Sequence, residues 1–165
     1  VVREVAANTR HPLVFALSNP TANCEALPED VLRWTDGRAL VATGSPFPDV
    51  AFGGEVRPVG QGNNAFIFPG LGLAVLLSRA RRVTDGMLVA ASLALAECLD
   101  KERLAHGALY PRIDGIRSAS RKVALAVLRK AQAEGVAGRE LPEDLDGWLD
   151  RQCWRPEFLP VRPRG

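Results

Sequence analysis

The chain has 165 residues, a formal net charge of +2, and a composition that is 47% hydrophobic, 24% charged and 6% aromatic. These values are typical of a globular domain, so they exclude a disordered chain, a collagen-like chain and a coiled coil. The charges are balanced, and Arg79, Arg81 and Arg82 form the only tight basic cluster. The composition therefore argues against a nucleic-acid partner.

Three cysteines stand far apart in the sequence: Cys24, Cys98 and Cys153. Their odd number and wide spacing argue against a disulfide framework or a zinc site and favour a cytoplasmic location. The longest apolar stretch, residues 65–77, is shorter than the roughly 20 residues of a membrane span, so no membrane partner is expected. Because the chain opens with Val1, we expect a processed N-terminus or a piece of a longer protein.

The first half of the chain has the pattern of a βαβ unit. Residues 13–18 form an apolar run that predicts a fully buried strand, and residues 39–43 predict a second one. Between them, Pro28 opens a helix that is predicted to end near Gly37. This order predicts an α/β fold with a partial Rossmann-like parallel sheet, followed by a helical segment. Residues 49–64 are rich in glycine and are predicted to be irregular.

The second half is predicted to be helical. Helices are expected over residues 66–79, 85–99 and 115–134, with Asp85 and Asp114 acting as helix caps beside Thr84. The apolar positions of the third helix recur every three or four residues: Ile116, Ala119, Val123, Val127 and Ala131. Gly135 is predicted to end this helix. The Pro- and Arg-rich stretch 139–165 is expected to wrap the surface, with Trp34, Trp148 and Trp154 as packing residues.

Polar residues follow both predicted strands, at the edge where open α/β sheets bind ligands. Ser18 and Asn19 follow the first strand, Gly44 follows the second, and Asn63 and Asn64 precede the next helix. An asparagine amide can hold a carboxylate or a carboxamide without carrying charge. We therefore expect the three amides to surround one pocket; the alternative is that each asparagine closes its own turn.

Five segments resemble, in order and spacing, the C-terminal half of malic enzymes: HPLVFALSNPT, WTDGRALVATGSPFPDV, GQGNNAFIFPGLGLAV, RRVTDGMLVAASLALAE and LYPRIDGIRSASRKVALAVLRKAQAEGVA. The resemblance covers roughly residues 11–158. It implies an oxidoreductase that converts malate to pyruvate and carbon dioxide with NAD or NADP and a divalent metal, Mg or Mn. Residues 1–83 would be the C-terminal part of the NAD(P)-binding domain, residues 84–138 its helical part, and residues 139–165 an extended tail.

The resemblance also implies roles for individual residues. Asn19, Asn63 and Asn64 would bind the substrate, and Ser18, Asn19, Gly44 and Asn64 would line the cofactor. The contacts that separate NAD from NADP are not among these residues. A GxGxxG phosphate turn is missing from the sequence.

In the family, the catalytic lysine, the catalytic tyrosine and three metal carboxylates precede the turn that matches Ser18-Asn19-Pro20. This chain has only ten residues before His11. We therefore expect no catalytic residue and no metal ligand in this chain, and no activity of the chain alone. Malate and pyruvate would bind together with the missing half, and the full-length form would be a homo-oligomer. An apolar sheet edge is expected to be exposed. The alternative function is a catalytically inactive remnant that acts as an interaction or oligomerisation module.

Overall fold

The computed structural model describes residues 1–154 of the chain. Within this range the helices are α1 (Val2–Asn8), α2 (Pro28–Trp34), α3 (Phe68–Ser78), α4 (Asp85–Ala96), α5 (Lys101–Ala105), α6 (Ile116–Ala133) and α7 (Leu145–Gln152). The strands are β1 (Leu13–Ala16), β2 (Leu40–Thr43), β3 (Val50–Phe52), β4 (Glu55–Arg57) and β5 (Gly60–Gln61). None of the helices in the described residues is long and apolar enough to cross a membrane.

The predicted βαβ unit is confirmed. Strands β1 and β2 pair in parallel, with Leu13 opposite Leu40 and Ala16 opposite Thr43, and α2 connects them. The helix begins at Pro28, whose missing N–H is not needed in the first turn. Its side chains pack with β2 in a small core of buried residues: Val31, Leu32, Ala39, Val41, Val50 and Val59.

The prediction of a fully buried first strand is wrong. Leu13 is 56% exposed and Phe15 is 44% exposed, whereas Ala16, on the other face, is buried. The sheet order is β1-β2-β5, so β1 is one of the two edge strands of the described sheet, and one of its faces is only partly covered. The expected apolar sheet edge is therefore present.

The prediction that residues 49–64 are irregular is also wrong. Strands β3 and β4 form an antiparallel hairpin around Gly53 and Gly54, which have positive φ angles of 62° and 83°. Glycine adopts this conformation without strain, and a Gly-Gly pair is typical of a tight hairpin turn. Strand β5 then adds to the parallel sheet, with Ala42 opposite Gly60. These strands have only two or three residues, too few to show a two-residue period.

The helical part packs α3, α4 and α7 against α6. Four of the five predicted apolar positions of α6 are buried, and Ile116 is partly buried. At Gly70, a Cβ atom would lie 2.4 Å from the carbonyl oxygen of Ser120 on α6. The close approach of α3 and α6 therefore requires glycine at this position.

The helix ends confirm some predicted caps and contradict others. The Thr84 hydroxyl accepts a hydrogen bond from the Met87 amide at the start of α4, so the cap is Thr84 and not Asp85. The predicted Asp114 cap is wrong, because its carboxylate pairs with Arg112 and offers no cap to α6. Gly135 follows the end of α6, as predicted, and it has a positive φ of 65°.

The C-terminal stretch is not simply extended. Helix α7, capped by the Asp144 carboxylate, packs against α6 and buries Leu145 and Leu149. Trp148 is partly buried against the same core, but Trp154 is 75% exposed, which contradicts its predicted packing role. The remainder of the predicted tail, residues 155–165, lies outside the described residues.

Candidate functional site

The loops that follow β1, β2 and β5 meet at the carboxyl edge of the parallel sheet. The Gly44 amide donates to the Ala16 carbonyl oxygen over 3.0 Å, and the Gly62 amide donates to the Thr43 carbonyl oxygen over 2.8 Å. A Cβ atom at Gly44 would lie 2.1 Å from the Leu17 carbonyl oxygen. Glycine at this position therefore allows the backbones of the loops after β1 and β2 to come into contact.

Asn19 is joined to the loop after β2. The Ser45 hydroxyl donates to the Asn19 Oδ1 atom over 2.7 Å, and Ser45 itself is buried. The Asn19 amide nitrogen donates no hydrogen bond to another of residues 1–154, and the side chain is exposed at the sheet edge. Its two N–H groups can therefore reach a ligand, while its oxygen is held by Ser45.

Ser18 makes its side-chain contact within its own loop. Its hydroxyl donates to the Glu25 Oε1 atom over 2.6 Å, and its backbone amide donates to the Oε2 atom over 3.2 Å. The hydroxyl hydrogen bond is the main reason why the pKa of Glu25 lies below its ordinary value. Ser18 and Glu25 thus form a small closed pair that shapes the loop after β1.

Asn63 and Asn64 line a cavity of about 360 Å³ between the end of the sheet, the start of α3 and helix α4. The Asn63 Oδ1 atom accepts a hydrogen bond from the Ala65 amide over 2.9 Å and so closes its own turn, as the alternative interpretation predicted. Asn64 is exposed, and its side chain hydrogen-bonds to none of residues 1–154.

The cavity brings together two of the three predicted amides. Its lining includes Leu17, Asn63, Asn64, Ser92, Leu95 and Tyr110. Asn19 lies at the same sheet edge but is not among the lining residues. The substrate and cofactor roles assigned to the five residues of this edge remain predictions.

Sequence reasoning missed Tyr110 and Ser92 as neighbours of this cavity. The Tyr110 ring stacks on Phe66, with centroids 6.2 Å apart, and meets the edge of Phe15 at 6.5 Å. Its hydroxyl reaches the glycine-rich turn before Asn63, 3.5 Å from where a Cβ of Gly62 would lie. Because Tyr110 follows α5, far along the chain from the strands, only the folded chain brings it to this edge.

The acidic and cysteine side chains do not gather at this edge. Within residues 1–154, no group of three His, Cys, Asp or Glu side chains is arranged to hold a metal ion. The described residues therefore do not fit a divalent metal.

A parallel sheet connected by a helix, with polar loops at its carboxyl edge, defines a Rossmann-like dinucleotide-binding fold. Residues 1–132 match the family described as "Malic enzyme, NAD binding domain". The chain therefore belongs to the malic enzyme family, in its NAD-binding domain, and the resemblance in the five segments is confirmed.

Individual relatives agree with this assignment. The chain is 49% identical over 162 residues to the NAD-dependent malic enzyme of Sodalis glossinidius, covering 98% of this chain and 29% of that protein. It is 47% identical, with the same coverage, to the NAD-dependent malic enzyme of Pseudomonas aeruginosa. The crystal structure of malic enzyme from Pyrococcus horikoshii superposes with a TM-score of 0.65 at 27% identity, covering 87% of this chain and 29% of that one. The chain thus spans about three tenths of the length of these relatives.

Proposed function

We propose that this chain forms the nicotinamide and substrate edge of an NAD-dependent malic enzyme, which oxidises malate to pyruvate and carbon dioxide. The observation that supports it most is the cavity lined by Asn63 and Asn64 at the carboxyl edge of the sheet, in a chain of this family. NAD is the proposed cofactor because the relatives are named NAD-dependent. A homo-oligomeric full-length form and a cytoplasmic location remain predictions.

The residues present fit a nicotinamide. Gly44 lets the loops after β1 and β2 come together at this edge, and the Asn19 N–H groups suit the oxygen of a carboxamide. Ser45 holds the Asn19 oxygen, so the amide keeps one orientation. Ser18 acts on this edge through Glu25, by shaping the loop. When bound, NAD supplies the hydride acceptor for the oxidation at C2 of malate.

The residues also fit a carboxylate substrate. Asn64 lines the cavity and offers two N–H donors, and Asn63 offers its amide nitrogen while its oxygen holds the turn. Because an amide does not titrate, this contact would be insensitive to pH. Leu17 and Leu95 line the same cavity and give part of its wall an apolar surface.

The base, the acid and the metal of the reaction are proposed to lie outside this chain. Proton transfer needs a group within hydrogen-bond reach of the reacting atoms. The cavity has neither a lysine nor a carboxylate among its lining residues, and Tyr110 does not match the catalytic tyrosine of the family. We therefore expect no NAD reduction above background when the isolated chain is assayed with malate, manganese and NAD. Turnover by the isolated chain would contradict this part of the proposal.

A chimera tests the positive part. The chain would replace the matching 162 residues of the Sodalis glossinidius enzyme, and malate-dependent reduction of NAD would be measured. We expect an active chimera in which Asn64→Ala lowers kcat/KM for malate by about tenfold or more, the loss of one hydrogen bond to a charged group. Asn8→Ala on α1, far along the chain from the sheet edge, is the matched control. Equal activity of the two variants would overturn the role of Asn64.

A further inference from the structure

A second cavity, which we call the cationic cavity, lies between the end of α4, helix α5 and the start of α6. Its volume is about 260 Å³. Three cationic side chains line it from three different segments: Arg103 on α5, Arg112 on the following loop, and Lys122 on α6. Cationic side chains from separate segments that line one cavity can bind the same anion.

Three carboxylates lie near the three cations: Asp100 among the lining residues, and Asp49 and Asp114 as ion-pair partners of Arg103 and Arg112. Asp100 lines the cavity, but its Oδ1 atom accepts hydrogen bonds from the backbone amides of Glu102 and Arg103 and caps α5. Arg112 pairs with Asp114 at 3.3 Å, and both side chains are exposed. Arg103 has a longer contact, 3.6 Å, with Asp49. Lys122 forms no ion pair with a carboxylate of residues 1–154.

Two further features concern hydrogen-bond donors of the residues that line the cavity. The Arg103 Nε atom is buried and has no hydrogen-bond partner within the described chain. Helix α6, of 18 residues, begins after Gly115, which supplies no side-chain cap, and its first turn contains no acidic residue. Gly115, Ser118 and Lys122 line the cavity, so one side of the first two turns of α6 faces this space.

The remaining thiol adds no negative charge. Cys98 lines the cavity, and its thiol donates to the Ala94 carbonyl oxygen. Burial raises the pKa of Cys98 above its ordinary value, although the nearby Lys122 opposes the shift. Burial thus disfavours the thiolate form of Cys98, so the thiol is not a counter-charge to Lys122.

We propose that the cationic cavity binds a phosphate dianion, either free or as the terminal group of a small phosphate ester. A tetrahedral phosphate presents its oxygens in several directions at once, which matches cations that approach from α5, the loop and α6. A guanidinium can hold two such oxygens, and the lysine acts as a point charge. The cavity adjoins the one at the sheet edge, since Pro111 lines both, but the proposal does not depend on the function of that edge.

A calorimetric titration tests the proposal: inorganic phosphate is added to the whole chain at low ionic strength. We expect saturable binding at one site. Lys122→Gln is expected to weaken it by about tenfold, the loss of one charge-assisted hydrogen bond, and the double variant Lys122→Gln with Arg112→Gln to abolish it. Both side chains are exposed, so the variants are expected to fold, which a circular dichroism spectrum checks.

Lys101→Gln is the matched control, because it removes the same charge from an exposed position of α5 outside the cavity. We expect its affinity to stay within twofold of the parent chain. Unsaturable binding to the parent, or an equal loss in the Lys101 and Lys122 variants, would show diffuse charge attraction and overturn the proposal.

Two comparison ligands identify the source of the phosphate. Tighter binding of AMP than of inorganic phosphate, with the same dependence on Lys122, would support a phosphate ester as the ligand. Equal affinity would support free phosphate. If succinate binds as tightly as phosphate and responds equally to the variants, the site prefers dicarboxylates and the phosphate proposal is wrong.

Discussion

The helical layer and the sheet layer of this chain cover their apolar side chains to different extents. Around α6, Val123, Val127 and Leu128 have no exposed surface, because α3, α4 and α7 pack on it from several sides. In the sheet layer, Leu13 and Phe15 of the edge strand are about half exposed. The loops that carry the candidate site belong to the less covered layer.

The difference follows from what each element needs from its neighbours. A helix satisfies its own backbone hydrogen bonds and must bury only one stripe of side chains. A strand needs partners at its two edges and cover on its two faces. Helix α6 finds its partners within the described chain, whereas β1 pairs only with β2 there. We therefore expect stability to reside mainly in the helical layer and ligand chemistry in the sheet layer.

The largest expected effect compares one leucine from each layer. Leu128→Ala removes a fully buried side chain from α6 and is expected to lower the free energy of unfolding by about 2–5 kcal/mol. Leu13→Ala, on the exposed face of β1, is expected to cost less than about 1 kcal/mol. Urea unfolding of both variants measures the difference. Similar losses would mean that the two layers are equally covered in solution.

A second pair sharpens the account of helix packing. At Gly70 a new Cβ would meet the Ser120 carbonyl oxygen, so Gly70→Ala is expected to destabilise the chain by about 1–3 kcal/mol. Gly72 lies in the same helix and faces open space, so Gly72→Ala is expected to stabilise it by up to about 1 kcal/mol. Thermal unfolding compares the two. A shift of the same sign in both would rule out a tight contact between α3 and α6.

The cap of α4 has a smaller expected effect. Thr84 accepts from the Met87 amide and donates to the Glu134 carboxylate beyond the end of α6. Thr84→Ala is expected to cost about 1 kcal/mol and to raise the pKa of Glu134, which this hydrogen bond lowers. Thr9→Ala, in the exposed loop after α1, is the control. An unchanged unfolding midpoint for Thr84→Ala would contradict the capping role.

The smallest expected effect is local to the sheet edge. The lowered pKa of Glu25 means that its ionised form favours the folded state above the unfolded-state pKa, and that this contribution is lost as pH falls through the folded-state pKa. Ser18→Ala is expected to return the pKa of Glu25 towards its ordinary value, as read by NMR titration of the carboxyl carbon. Ser92→Ala, on α4, should leave it unchanged. Equal titration curves in all three proteins would show that the Ser18 hydrogen bond is absent in solution.

Many of the helices and strands could be predicted from the sequence. The periodicity of α6, the Thr84 cap and the apolar runs of β1 and β2 all led to the observed elements. Prediction failed where the signal was short or depended on distant partners. Strands β3 to β5 are too short to show an alternation of apolar and polar residues. Asp114 forms an ion pair with Arg112 instead of capping a helix.

The candidate site, too, could be predicted only in part. The asparagines could be placed at the sheet edge because they follow strands and precede a helix. The cavity itself could not be predicted, because Ser92 reaches it from α4 and Tyr110 from the loop after α5, both later in the chain. Asn19, in turn, is hydrogen-bonded to Ser45.

The sequence by itself determined the family, the parallel βαβ unit and the apolar face of α6, because these depend on local order and on the spacing of side chains. Only the tertiary structure decided which polar groups share a cavity, how closely Gly70 lets two helices approach, and that three cations converge near the start of α6. These features arise between segments far apart in the chain, where contact depends on how the whole chain packs.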